Sequence, residues 1–169
     1  MPVVKNFTHG AATFSDGAAP PASLQATFEN GDFSISGIKE DQRETAAYES
    51  RGKLDSLVKS TRVYPTGSCT LKFTDGVTNG SGAVLDFLRR RTGSAYANNV
   101  SSIKKSGSTI TGNVYTVDMQ LDIEGTDLGD SADHGIQLEH VEVNSIDFAE
   151  GDPNTVTLNF TVYGDVVFF

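Results

Sequence analysis

Tryptophan is absent from this chain and cysteine occurs once, as Cys69. A lone thiol closes no internal disulfide and supplies no paired-cysteine zinc set, so stability must come from packing or from neighbouring subunits. Long apolar runs are also missing. No stretch approaches the roughly 20 residues of a membrane-crossing helix, and the opening MPVVKNFTHG has no apolar segment of the length a secretory leader needs. The expectation is synthesis in the cytosol and no membrane association. Cations are scarce, with 13 Lys and Arg against 22 Asp and Glu for a formal charge of −9. Duplex binding needs clustered Lys and Arg to neutralise phosphates, so a nucleic-acid-binding surface is disfavoured, although acidity is equally what solubility alone produces.

What remains is enough for a folded domain. At 169 residues, with 37% hydrophobic residues and 17 glycines, the chain fits one turn-rich domain spanning 1–169 with its own core. The clearest element is NVYTVDMQLDIEG, where Tyr115, Val117, Met119, Leu121 and Ile123 alternate with polar residues in a period of two. This is a long strand whose wet face carries Asp118, Asp122 and Glu124. The run TVTLNFTVYGDVVFF repeats the pattern with Val156, Leu158, Phe160 and Val162 on one face. Between them Ile136 and Leu138 share one parity and Val141 and Val143 the other, so that strand carries a bulge near Glu139 and His140, and AEGDPN supplies the turn into the next one.

Shorter strands are predicted where Leu24, Ala26 and Phe28 alternate, where Phe33 and Ile35 follow a turn at NGD, and where Cys69, Leu71 and Phe73 alternate. The one helix predicted is SGAVLDFLRRRTG, with Ser81 as its cap, Arg89 to Arg91 complementing its carboxyl end and Gly93 ending it. The fold class is therefore mainly β, an antiparallel sandwich or barrel with one flanking helix. Two stretches stay outside this pattern. SAYANNVSSIKKSGSTITG is polar and should wrap the surface, and the charged segment at about 39–65 is too long for an ordinary connection, which makes it a protruding loop or extended hairpin.

Motifs that would carry chemistry fall short. GVTNGSG sits where a phosphate loop would, yet Ala83 and Val84 follow its last glycine in place of Lys and Ser or Thr. The acidic stretch around Asp127, Asp130, Asp133 and His134, with Glu139 and His140 close by, lacks calcium-loop or zinc spacing and reads as a solvated hairpin loop. No nucleophile elbow or separable carboxylate pair can be assigned, and His9, His134 and His140 sit in loop or strand-edge contexts. No catalytic residue, metal ligand or cofactor is predicted, so the chain is expected not to be an enzyme. Four matches to the glycosylation sequon, at Asn6, Asn79, Asn99 and Asn159, are read as chance. The apolar ending Val166 to Phe169 must be covered, either as a final core strand or by another subunit.

The order of elements resembles the major tail tube proteins of siphophages across most of the chain. The pieces that carry the resemblance are YESRGKLDSL, the strand pair flanking AEGDPN and the closing VYGDVV, which are soft patterns and not catalytic signatures. The resemblance implies a virion protein assembled as stacked hexameric rings around a channel through which DNA passes without being bound. Its partners would be further copies of itself and other tail proteins, such as a tape measure, a tail terminator and a distal tail protein. On this reading Glu40, Asp41, Arg43, Glu44, Arg51, Lys53, Lys59 and Arg62 form a ring-stacking interface, Asp118, Asp122 and Glu124 line the channel, and Phe168 and Phe169 contact another subunit. A head-to-tail connector is one alternative, and a carbohydrate-binding β-sandwich, disfavoured by the absence of Trp, is another.

Overall fold

The computed structural model describes residues 10–73, 84–104, 112–123, 132–152 and 154–169. Nine strands are present among them: β1 (Gly10–Ser15), β2 (Ser23–Ser36), β3 (Arg43–Ser50), β4 (Lys53–Arg62), β5 (Thr66–Lys72), β6 (Val117–Ile123), β7 (His134–Ala149), β8 (Thr155–Val162) and β9 (Val166–Phe168). One helix, α1, spans Val84–Arg89. Strands β6, β1, β2, β5, β8 and β7 follow one another in a single sheet, and β7 pairs again with β6. The sheet therefore closes on itself as a barrel, with β9 added along β7 and every pairing antiparallel.

Two long strands make the closure possible. The first part of β2 pairs with β1 and its last part with β5, while β7 pairs with β6 up to Val141 and with β8 beyond it. A strand shared by two walls must bend, and the bends are visible as register shifts. In β7 the shift falls at the predicted bulge, where His140 adopts a left-handed φ of 55°. Its N–H donates to the Asp118 carboxylate at 3.1 Å, which satisfies the donor that the bulge takes out of the ladder. In β2 the shift lies between Phe28 and Phe33, so NGD does not reverse the chain as predicted. The backbone there runs on as one strand of 14 residues, because both flanks find partners on the same sheet.

Alternation fills the interior. Along β8, Val156, Leu158, Phe160 and Val162 are buried while the intervening residues are half-buried. They meet Phe14, Leu71, Met119, Leu121, Ile136 and Leu138 from the other walls, with Val84, Phe87 and Leu88 of α1 joining the same core. Full burial of each such side chain contributes about 1.5 to 3 kcal/mol. Gly67 stands opposite Phe160, and a Cβ there would come within 2.8 Å of the Phe160 ring, so glycine leaves the room in which that ring stacks on Phe33.

The helix ends sooner than the sequence pattern suggested. Arg90, at φ 48°, takes the left-handed position that ends the helix, three residues before Gly93, whose φ of 82° is also left-handed. The Arg90 N–H donates to the Phe87 carbonyl at 3.2 Å and the Arg91 N–H to the Asp86 carbonyl at 3.1 Å, the pair of bonds of a Schellman cap. Arg89 and Arg91 both ion-pair with the nearly buried Asp86. The predicted cap Ser81 lies outside the described residues, as do Asp127 and Asp130.

Candidate assembly surfaces

The segment at about 39–65 is a hairpin. Strands β3 and β4 pair with each other in a sheet of their own, separate from the barrel. Their turn is Arg51–Gly52, with φ of 51° and 73°, the positive pair that a two-residue hairpin of mirror-image type needs. The register puts Ala46, Tyr48 and Val58 on one face and Ala47, Leu54 and Leu57 on the other. Both faces are open: Tyr48 is 57% exposed, Leu54 60%, Leu57 62% and Val58 48%. A lone two-stranded hairpin is marginal in water, and this one leaves apolar side chains in water on both faces.

The root of the hairpin is tied to the barrel. The Val63 N–H donates to the Gln42 carbonyl and the Val162 N–H to the Pro65 carbonyl, each at 2.8 Å. The Arg62 guanidinium lies 5.0 Å over the Tyr64 ring, Tyr64 packs edge-on against Tyr163 at 4.9 Å, and the Tyr163 hydroxyl donates to Glu142 at 2.8 Å. That bond to the carboxylate pushes the Tyr163 hydroxyl above its ordinary range. The arm is thus anchored to β7 and β8 through an aromatic chain, so a load on the hairpin reaches the barrel.

Asp41 and Arg43 meet at the root at 2.8 Å, and that bond, with the nearby Arg43, Lys59 and Arg62 charges, holds the Asp41 carboxyl below the usual carboxylate range. Glu40 and Glu44 stay exposed near the same root, while Arg51 and Lys53 flank the tip. From Arg43 to Arg62 five cations stand against three acids, a net of +2 on a chain whose total is −9.

The other predicted positions divide. Asp118 is buried and not on a wet face, because the bulge in β7 claims its carboxylate as an acceptor. Asp122 is half-buried and accepts from the Gln120 amide at 2.7 Å, and Glu124 lies outside the described residues. Phe168 and Phe169 end a real strand, yet their rings are 64% and 47% exposed, so β9 is an edge strand and not part of the core.

Two surfaces had no clear sequence signal. The outer faces of β2, β5, β8 and β7 carry rows of hydroxyls and amides bonded across strands, such as Ser34 to Ser68 at 3.0 Å, Thr70 to Thr157 at 3.1 Å and Asn159 to Ser145 at 2.9 Å. At the barrel end away from the hairpin, Phe73 and Phe148 form an exposed edge-to-face pair at 5.0 Å. The pairing of two aromatics 75 residues apart could not be read without the register of β5, β8 and β7.

A buried polar cluster joins Ser102, Thr116, His140 and Asp118. The Ser102 hydroxyl lies 3.2 Å from His140 Nδ1, and Asp118 Oδ1 lies 3.7 Å from the same nitrogen. A relay of the serine-hydrolase kind uses one imidazole nitrogen for the carboxylate and the other for the nucleophile, so this cluster pins the bulge and does not form such a relay. Among the described residues no group of three His, Cys, Asp or Glu side chains gathers in a metal-holding arrangement, and no helix is long and apolar enough to cross a membrane.

No protein-family model and no curated protein sequence matches the chain. Solved structures do. A chain of the sheath-tube complex of PVC, an extracellular contractile injection system in its extended state, superposes with a TM-score of 0.52 at 11% identity, covering 100% of this chain and 90% of that one. A chain in the six-fold symmetrised baseplate structure of the anti-feeding prophage does so at 0.50 and 14%, covering 100% and 96%. At such identities the likeness is one of fold.

Proposed function

We propose that the chain is a structural, non-enzymatic subunit of a tail-like particle, polymerising as stacked rings into a tube. The observation that carries this reading is the β3–β4 hairpin, a rooted arm with apolar side chains exposed on both faces. The fold shared with chains of tail-like particles supports it, and because one of those particles is a contractile injection system the reading keeps the tube and drops the restriction to siphophages. The rings are proposed to be hexameric, with DNA passing through a bore that does not grip it. Asp122 stays a candidate for that bore, since it offers no cation to phosphate. Copies of the chain, a tape measure, a terminator and a distal tail protein are the proposed partners, and the mature particle is the proposed location.

Electron microscopy of the concentrated protein, alone and co-expressed with its neighbouring tail genes, tests the proposal. Rings or tubes are expected, and the double reversal Arg51→Glu with Lys53→Glu should leave a folded monomer that builds short tubes or none. A wild-type chain that stays monomeric in both settings would refute the reading. Wild-type tube length from the double variant would remove the hairpin from it.

A further inference from the structure

The polar cluster behind the β7 bulge fixes where its protons lie. His140 sits there at its left-handed φ of 55°, between the 3-10 turn Ser102–Lys104, β6 and the break that separates β8 from β9. The Ser101 hydroxyl donates to the Val114 carbonyl at 3.1 Å, which uses its proton, and its oxygen accepts from the Thr116 N–H at 3.1 Å. Thr116 Oγ1 accepts from the Ile103 N–H at 3.2 Å. Three contacts then run in line: Ser101 Oγ to Thr116 Oγ1 at 3.0 Å, Thr116 Oγ1 to Ser102 Oγ at 2.8 Å, and Ser102 Oγ to His140 Nδ1 at 3.2 Å. Each contact needs one proton, and the Thr116 and Ser102 hydroxyls supply two. A proton on Nδ1 supplies the third, so that donation runs from His140 to Ser102, then to Thr116 and then to Ser101. Asp118 Oδ1, which accepts the His140 N–H at 3.1 Å and lies 3.7 Å from Nδ1, favours the same placement.

We infer that His140 is a proton-operated clamp at the joint from which the hairpin springs. Nδ1 keeps its proton in both states, so the proton that comes and goes is carried by Nε2. When Nε2 gains it, the ring becomes a cation beside the Asp118 carboxylate and its bond to Ser102 becomes charge-assisted. Asp118 faces the ring from β6; Glu139 and Glu142 flank it on β7, Tyr163 and Asp165 follow β8 on the other side, and Lys104 closes the turn. Backbone bonds carry the change outward. The His140 carbonyl accepts from the Tyr163 N–H at 3.1 Å, the Glu139 carbonyl accepts from the Gly164 N–H at 3.0 Å, and the Tyr163 ring packs on Tyr64 at the hairpin root. Gly164 leaves no slack there, since a Cβ would stand 2.6 Å from Glu139 Cβ. A tighter bulge therefore holds the arm more firmly and lowers the ordering cost of any contact the arm makes. Its effect on tube growth rests on the polymerisation reading above; the clamp itself does not.

Imidazole nitrogen NMR of the full chain, with His140 assigned by comparison with His140→Asn, tests the clamp. Asparagine suits the left-handed backbone and puts an amide N–H where Nδ1–H stands, without a titrating nitrogen. At about pH 8 the His140 signals should be those of the Nδ1–H tautomer. Between about pH 8 and about pH 6, protection of the Tyr163 and Ile103 amides against exchange should rise about two- to five-fold, the factor a partly exposed charge pair gives, and stay flat in His140→Asn. Tube nucleation should follow the same pattern, and because His9 and His134 are present in both chains their titration cancels. An Nε2–H tautomer with a bare Nδ1, or an equal rise in protection in the asparagine variant, overturns the clamp whatever the tubes do. A clamp seen by exchange, with tube nucleation that depends on pH equally in both chains, overturns its part in assembly. Absence of wild-type tubes overturns the polymerisation reading, and the exchange data still decide the clamp.

Discussion

Asp16 offers a sharp quantitative test of how the barrel is held shut at its surface. The residue is 3% exposed and carries no cation partner in its hydrogen-bond set; its carboxylate instead collects backbone donors. Oδ1 accepts from the Ala18 N–H at 3.1 Å and the Ala22 N–H at 2.8 Å, and Oδ2 accepts from the Val100 N–H at 3.2 Å. One side chain thus closes the β1–β2 connection and clips the segment before Ser101 onto it. Asp16→Ala strands three N–H groups, each costing about 1 to 3 kcal/mol if it stays dry. Ala18 and Ala22 are only half-buried and Val100 is exposed, so water recovers part of the loss, and we expect a net cost of about 3 kcal/mol. Asp16→Asn keeps one acceptor but turns an NH2 toward a remaining N–H, for an expected cost of about 1 to 2 kcal/mol. In urea, with a slope of about 1 to 3 kcal/mol per molar, the alanine variant should lose about 1 to 3 M in midpoint. The amide of Gly17, which donates to the Val100 carbonyl at 2.7 Å, should exchange faster in both variants. An alanine variant that unfolds at the wild-type midpoint with unchanged exchange at Gly17 would refute the account.

The remaining tests probe the turn and a buried hydroxyl. Gly52→Val meets no atom within 4 Å, so its whole effect is conformational: φ of 73° costs a side chain about 1 to 2 kcal/mol, which should loosen the hairpin to proteolysis and shorten tubes while the barrel melts unchanged. Tyr115 is different in kind. Its hydroxyl and the neighbouring Asn99 amide are buried without hydrogen-bond geometry to any partner, so Tyr115→Phe should be neutral or slightly stabilising at neutral pH. Burial pushes the hydroxyl up to about 12 from 10.0. The folded state therefore holds its proton longer than the unfolded one, so wild-type stability falls as pH rises from about 10 to 12, and the phenylalanine variant should flatten that decline in alkaline denaturation.

Strands with a wet and a dry face were legible because a period of two survives in the sequence: β6 and β8 lie where Met119, Leu121, Leu158 and Phe160 put them. The parity change around His140 was legible for the same reason. What failed was anything set by a partner remote in sequence. β1 has only Ala12 and Phe14 as apolar marks, and it is a strand because β2 and β6 flank it. The turn at NGD was misread since a local Gly-Asp signal is overridden when both sides bind one continuous sheet. Asp118 looked exposed by alternation and is buried because a bulge in another strand needs its oxygen. The hairpin was foreseen from length and charge, but the feature on which the proposed function rests, apolar residues on both faces, depended on a register with two bulges that linear spacing does not reveal.

Closure of the barrel has a consequence for how copies can meet. A ring of six paired strands leaves no open ladder on its own walls, so polymerisation through the main sheet by edge addition is suppressed. Among the described strands, edges unpaired along a whole strand are left to the short β9 and to the hairpin, and both carry exposed apolar side chains. β9 is three residues long and pairs along β7, which makes it a weak template. The hairpin has the length, the two faces and the aromatic root at Tyr64 and Tyr163 that transmit contact to the core. If β9 were the main contact, removing the Phe168 and Phe169 rings by alanine substitution would abolish assembly and the hairpin reversals would not. The proposed tube reading gives the opposite ranking: the double alanine variant should form tubes of reduced stability to dilution, and the hairpin variant should form few. Equal loss in both would mean that the two edges act as one surface and that the hairpin does not dominate.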